Sequence, residues 1–328
     1  MMTPPKFWQE PDGARHPAAR LLWPVAALYG FIGARKISAA TPYRAAGPVI
    51  CVGNVSMGGV GKTPFSLMLA ETLQDLNRQP AFLTRGFGGS LRQPTMLGTQ
   101  HTAAQSGDEA QLLRQQGPVV VAADRPAGAR LIFAQTSADS LIMDDGFQNP
   151  SLHKDLSFLL IDAETGFGNG QVFPAGPLRE KPAAALRRAQ AVVFVLPDQS
   201  ASVPDALVRR AAGKPVLRAW LEAAPVHPPG RRVVAFCGIG RPEKFYRTAR
   251  SAGYDLAATR DFPDHHAFTQ ADLTALRALA GQHQATLLTT QKDHVRLPTD
   301  LQAEVETLPV RMQVDKQATL TSLLEDLF

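Results

Sequence analysis

The chain alternates between short, fully apolar runs and stretches with apolar residues every three or four positions. Residues 48–52, 81–83, 119–122, 141–143, 158–161 and 191–196 are continuous apolar runs. That is the pattern of strands buried on both faces. Between the first two, residues 63–78 place Phe65, Met68, Leu69, Leu73 and Leu76 at helical spacing. Pro64 falls in the first turn, where its missing N–H costs nothing. Strands alternating with helices predict a mostly parallel α/β sheet covered on both sides. A second series follows a Pro/Gly-rich linker over 225–230, built on His227-Pro228-Pro229-Gly230. It reads as strands over 233–237 and 285–290 and helices over 242–252 and 269–283. The expected division is an N-terminal helical segment (1–46), a large α/β core (47–225), a smaller α/β unit (226–315) and a closing helix (316–328). A length of 328 residues agrees with more than one core.

Residues 21–34 are apolar but number only 14, too few for a span of about 20. With its late start, Pro24 and no compact basic start followed by a clear cleavage site, it does not match a signal peptide well either. Arg15, Arg20, Arg35 and Lys36 flank the segment, and Trp8, Trp23 and Tyr29 supply amphipathic rings. Such a segment suits a membrane interface, or equally a helix packed on the core.

Composition narrows the picture. Hydrophobic residues make up 45% of the chain, enough for real cores. The two cysteines, Cys51 and Cys237, sit in strand-like runs as buried thiols, which excludes a disulfide scaffold and suggests a reducing compartment. The formal charge is +5, which suits anionic lipid or phosphorylated substrates. No nucleic-acid-binding motif is visible and only 7% of residues are aromatic, so nucleic acid is not expected as a partner. Nothing points to an obligate protein partner.

The chemistry concentrates after the first strand, in Gly53-Asn54-Val55-Ser56-Met57-Gly58-Gly59-Val60-Gly61-Lys62-Thr63. Glycines let backbone N–H groups converge on a phosphate, a Lys reaches its outer oxygens, and a hydroxyl serves Mg²⁺ at a helix N-terminus. The fold class is therefore a P-loop NTPase-like core with a smaller α/β domain. Ser56 stands where the usual pattern has its first Gly. The stretch is also similar to partitioning and maturation ATPases, but Met57 stands where those carry a Lys. Asp144-Asp145 close an apolar strand, where a P-loop protein holds Mg²⁺, or else form a plain turn. Asp108 opens a helix, either as a cap or as the base that a phosphoryl acceptor needs. His265 or His266 could pair with it. Arg85, Arg125 and Arg179 follow strands or Gly/Pro-rich turns and suit phosphate.

Together with Thr84-Arg85-Gly86-Phe87-Gly88, Gly107-Asp108-Glu109, Asp124-Arg125, Asp144-Asp145-Gly146-Phe147-Gln148, Gly176-Pro177-Leu178-Arg179-Glu180, Phe236-Cys237-Gly238-Ile239, Phe262-Pro263-Asp264-His265-His266 and Gln291-Lys292-Asp293, the loop resembles the tetraacyldisaccharide 4′-kinase family. The likeness runs in order from about residue 7 to the C-terminal helix. It implies transfer of the γ-phosphate of ATP, with Mg²⁺, to the 4′-hydroxyl of the lipid A precursor tetraacyldisaccharide 1-phosphate. It also implies two α/β domains with the site between them, and an N-terminal segment on the anionic cytoplasmic face of the bacterial inner membrane. Carried over residue by residue, the catalytic group is Asp108 with His265, and Lys62. The nucleotide side is Ser56, Met57, Gly58, Gly59, Val60, Gly61, Lys62, Thr63 and Gln148. The substrate side is Asn54, Arg85, Glu109, Arg125 and Arg179, and the metal side Thr63, Asp144, Asp145 and Glu180. Phe87, where a Tyr is common, and Lys181, where a Pro is common, depart from the family pattern. The rival expectations are a kinase of a soluble metabolite and a switch ATPase.

Overall fold

The structure, a computed structural model, describes residues 5–10, 12–225 and 228–328. Two positions of the expected linker, 226 and 227, lie outside the described residues. After the N-terminal helix α1 (Pro17–Ser38), the chain runs β1 (Val49–Asn54), α2 (Lys62–Asp75), β2 (Pro80–Thr84), β3 (Thr95–Met96), α3 (Ala103–Ser106), α4 (Asp108–Leu113) and β4 (Val119–Val121). It continues through α5 (Arg125–Gln135), β5 (Ser140–Asp144), β6 (Leu156–Asp162), α6 (Pro182–Arg188), β7 (Ala191–Leu196), α7 (Asp205–Arg210) and β8 (Val216–Ala223). The second series is β9 (Arg232–Cys237), α8 (Pro242–Ser251), β10 (Asp255–Asp261), α9 (Gln270–His283), β11 (Thr286–Thr290), α10 (Gln291–His294), α11 (Thr299–Gln302) and β12 (Val305–Leu308). Then follow β13 (Val310–Val314) and α12 (Gln317–Glu325).

Nine strands form one sheet in the order β13-β8-β7-β6-β1-β5-β2-β4-β3. Its interior pairs are parallel, and only the two edge pairs, β13 with β8 and β3 with β4, are antiparallel. Because side chains alternate along a strand, β1 feeds two cores. Ile50 and Val52 pack with Phe65 and Leu69 of α2, while Val49 and Cys51 pack on the opposite face with Ile132 of α5. A four-stranded parallel sheet, β10-β9-β11-β12, makes the smaller unit with its own two-faced core.

One expected boundary moves. Residues 310–314, assigned to the smaller unit, pair with β8 in the large sheet, Val310 opposite Ala223. Met312, Leu320 and Leu324 complete the large core. In sequence, the smaller sheet is thus inserted between two strands that pair with each other in the larger one.

The N-terminal helix buries only Ala19 and Ala26. Leu21 is 81% exposed and Phe31 63%, with Trp23, Val25, Leu28 and Ile32 also open to solvent. Among the described residues no helix is long and apolar enough to cross a membrane. Trp8 does not serve as an interfacial ring. It is buried edge-on against Phe173, which Tyr29 also meets.

Candidate active site

β1 runs at the middle of the large sheet and ends in the phosphate loop. Gly61, at φ +83°, turns the chain into α2, a conformation that L side chains resist. The loop is pinned from below. Met57 N–H donates to Pro177 O at 2.8 Å and Arg179 N–H to Val55 O at 2.6 Å. The Asn54 amide donates to Ser56 O at 2.8 Å, and Lys62 Nζ lies 3.4 Å from Asn54 Oδ1. Lys62 also lies 3.7 Å from Asp145. The loop is therefore preset for an anion.

In the neighbouring strand Asp144 sits in register with Val52. Thr63 Oγ1 donates to its Oδ2 and Ser66 Oγ to its Oδ1, each at 3.0 Å. Burial, then the nearby Glu109, pushes the Asp144 carboxyl up to about 7, so the pocket favours a proton or a cation there. Among the described residues no three His, Cys, Asp or Glu side chains cluster as a metal cage. Mg²⁺ needs none: one carboxylate, one hydroxyl and phosphate oxygens suffice, and Asp144 with Thr63 fits that demand. Asp145 follows at φ +52°, a costly conformation for an aspartate. Burial alone would raise its carboxyl, but Lys62 and Arg179 hold it below the usual range. Arg179 Nη1 is 2.9 Å from Asp145 Oδ1.

A second group faces this cradle. Gly107, at φ +84°, turns α3 into α4, and a Cβ there would stand 2.5 Å from Phe87 O. Asp108 follows and is nearly buried. His265 reaches it from the smaller unit, Nδ1 to Oδ2 at 2.9 Å. His266 pairs with Asp272 instead, at 3.0 Å. Phe87 meets the His265 ring edge-on at 5.6 Å. Arg296 lies 3.2 Å from Asp108 and Lys292 lies 3.3 Å from Glu109, both from the smaller unit.

Lys62, Thr63, Asp144, Asp145 and Arg179 thus form one constellation, and Asp108 with His265 another. Four expected site residues are held by contacts inside the protein. Asn54 is fully buried and ties Lys62 to Ser56, so it shapes the loop. Arg125 is buried, donates to Ala122 O, and burial lowers its pKa to about 10. Its charge adds a little to the pull that keeps the Asp145 carboxyl low. Glu180 accepts from Arg188 at 2.8 Å and from Gln148 at 3.0 Å, so its carboxylate is engaged by neighbouring side chains. The Gln148 amide also donates to Asn54 O at 2.8 Å, which cross-links the two loops. Arg85 is exposed just past β2. Sequence reading assigned no role to Ser66, Lys292 or Arg296. Lys292 stood in a quoted motif, but nothing local marked its partner.

The model of the family described as "LpxK: Tetraacyldisaccharide-1-P 4'-kinase" matches residues 18–328. A "Tetraacyldisaccharide 4'-kinase" of Paramagnetospirillum magneticum is 45% identical over 327 residues, covering 99% of this chain and 98% of the relative. One from Methylorubrum extorquens is 46% identical over 332 residues, covering 100% of this chain and 99% of the relative. Among solved structures, an "apo" form LpxK from Aquifex aeolicus in complex with ATP superposes with a TM-score of 0.76 at 27% identity, covering 95% of this chain and 99% of that one.

Proposed function

We propose the roles below from one premise: the chain belongs to the tetraacyldisaccharide 4′-kinase family. It is an ATP-dependent kinase that moves the γ-phosphate of ATP to the 4′-hydroxyl of a tetraacyldisaccharide 1-phosphate in lipid A biosynthesis. The Asp108–His265 contact, made between the large and the smaller unit, carries the assignment of roles. Hydrolysis by a switch ATPase has no need of a base delivered from a second unit, and the switch reading is not supported.

On the donor side, Lys62 and the loop amides hold the phosphates, and Arg179 offsets charge that builds up on them. Thr63 and Asp144 would hold Mg²⁺, which supplies charge neutralisation at the phosphate oxygens when bound. On the acceptor side, Asp108 takes the proton of the 4′-hydroxyl as that oxygen bonds to the γ-phosphorus. The bond from phosphorus to the β-bridging oxygen breaks and ADP leaves. His265 orients Asp108 and shares the proton before it passes to water. The cleft between the two sheets keeps water from competing as acceptor.

The exposed apolar face of α1, with Arg20, Arg35 and Lys36 beside it, supports a peripheral position on an anionic membrane surface. The cytoplasmic face of the inner membrane is where ATP and a reducing environment meet such a surface.

The test uses γ-labelled ATP, Mg²⁺ and tetraacyldisaccharide 1-phosphate in detergent micelles, with the protein and its Asp108→Ala variant. Label in the lipid phase that disappears in the variant is expected. Lipid label retained by Asp108→Ala would remove it from the base role. ATP hydrolysis without lipid label would remove the lipid kinase reading.

A further inference from the structure

We propose that Arg296 is a positioning residue for phosphoryl transfer, locking the Asp108–His265 pair in one geometry across the cleft. The inference rests on the reading of Asp108 as base. Arg296 is 7% exposed and belongs to the turn after α10, in the smaller unit. Its Nε lies 3.2 Å from Asp108 Oδ2, the same oxygen that meets His265 Nδ1. Among the described residues Asp108 Oδ1 takes no hydrogen bond, so two contacts on one oxygen leave the other for the acceptor hydroxyl.

The rest of the guanidinium explains why it stays there. Nη1 donates to His266 O and Nη2 to Gly238 O, both at 3.1 Å. Nη2 also donates to Asp293 Oδ1 at 2.6 Å, and Nε to Lys292 O at 3.3 Å. Asp293 is itself buried and fixed by Gly238 N–H at 2.9 Å and Thr290 Oγ1 at 2.6 Å. His265 sits at φ +60°, which a histidine adopts only under constraint. Its N–H donates to Gly238 O at 3.1 Å, the carbonyl that Arg296 also holds. Arg296 therefore brackets the strained turn that presents His265 and touches the carboxylate that His265 meets. Only a planar fork spans these partners at once; a Lys keeps the charge and loses the geometry. The charged neighbours of the pair are Lys292, 3.5 Å from His265 Nε2, Asp264 at 3.9 Å from the same atom, and Glu109 beside Lys292. None of them reaches Asp108 Oδ2.

The experiment compares Arg296→Met, Arg296→Lys, Asp108→Asn and the double variant Asp108→Asn/Arg296→Met in the micelle assay, with turnover normalised to ATP-binding protein. For Arg296→Met, kcat should fall about 100-fold with both KM values within about threefold, the size expected when a reacting group is misplaced by an ångström. Arg296→Lys should lie between it and the native protein. The double variant should be no slower than Asp108→Asn alone, because both changes disable one unit. A kcat for Arg296→Met within threefold of native, or losses that multiply in the double variant, would overturn the proposal. So would a loss that disappears on normalisation, since Arg296 would then only stabilise the fold. Should Arg296→Met not fold, Arg296→Lys carries the test. A tenfold lower kcat with an altered His265 ring signal in ¹⁵N-histidine NMR supports the proposal, and an unchanged kcat and ring signal overturn it. If Asp108→Asn itself keeps full turnover, the base assignment fails first and this inference with it. If Asp108→Asn is inactive while Arg296→Met is not, only this inference fails.

Discussion

The two halves of the site are built on opposite plans. The donor half is local: Asn54, Ser56, Lys62 and Thr63 lie within ten residues of one strand end, and Asp144 comes from the strand in register beside it. The acceptor half is assembled at long range: Asp108 from the large unit meets His265, which is 157 residues away in sequence. Backbone geometry suffices to bind an anion, so a single strand–loop–helix can do it. Selecting one hydroxyl and excluding water calls for groups that meet only when two bodies meet.

That contrast can be broken most sharply by Lys62→Met. It should weaken ATP binding in equilibrium titration and lower turnover by about 10³-fold, on the scale of losing a preorganised charge contact. His265→Ala should lower kcat by about 10²-fold, the low end for an acid–base partner. ATP affinity should stay within about twofold of native. If His265→Ala weakens ATP binding as much as it lowers kcat, the two halves are not separable. Away from the chemistry, Asp162 at the end of β6 receives Lys244 at 2.7 Å and Arg241 at 3.0 Å from the smaller unit. Asp162→Asn removes their buried partner, with Glu164 remaining 3.4 Å from Lys244 and 3.8 Å from Arg241, and should cost about 2 kcal/mol in denaturant unfolding, the scale of a hydrogen bond to a charged group.

The same residue gives a pH test. Burial would raise the Asp162 carboxyl, but Lys244 and Arg241 hold it below its ordinary value. Its contribution is therefore complete above the ordinary carboxylate range, near pH 4, and is lost as pH falls through the lower folded value. Asp162→Asn should show a smaller loss of stability between about pH 5 and pH 2 than the native chain. An equal acid loss in both would remove Asp162 from that account. The smallest effect on chemistry belongs to Phe31→Glu in α1. It should weaken binding to anionic vesicles in sedimentation by about thirtyfold, since one aromatic buried in the membrane contributes about 2 kcal/mol. Turnover in detergent micelles should stay within about twofold.

The donor half was legible because its meaning is carried by neighbours in sequence. A glycine run between an apolar strand and an amphipathic helix has few other uses, and the Asp144 strand announced itself by its apolar run. The edges of the fold were harder to read. β10, with Thr259, Arg260 and Asp261, is a half-exposed edge strand, held by backbone pairing to β9 and carrying no apolar signature. β13 read as part of the smaller unit because nothing within 310–314 marks its partner as β8. Arg125 and Glu180 illustrate a different limit. A charge after a strand looks the same in sequence whether it faces a ligand or is held by contacts inside the protein. Arg296 was invisible for the matching reason: its partners at 108, 238 and 266 converge only in three dimensions.

The return of β13 to β8 has a consequence for how such a chain can be rebuilt. The backbone leaves the large sheet after Ala223 and re-enters it at Val310, and those two residues face each other across an antiparallel pair. In topological terms, everything between them is a cassette spliced into a β-hairpin. Replacing that cassette requires two joints side by side in space and leaves the threading of the other strands untouched. The large unit, with the phosphate loop and Asp108, can therefore keep its sequence while the segment that presents His265, Lys292 and Arg296 to it is exchanged.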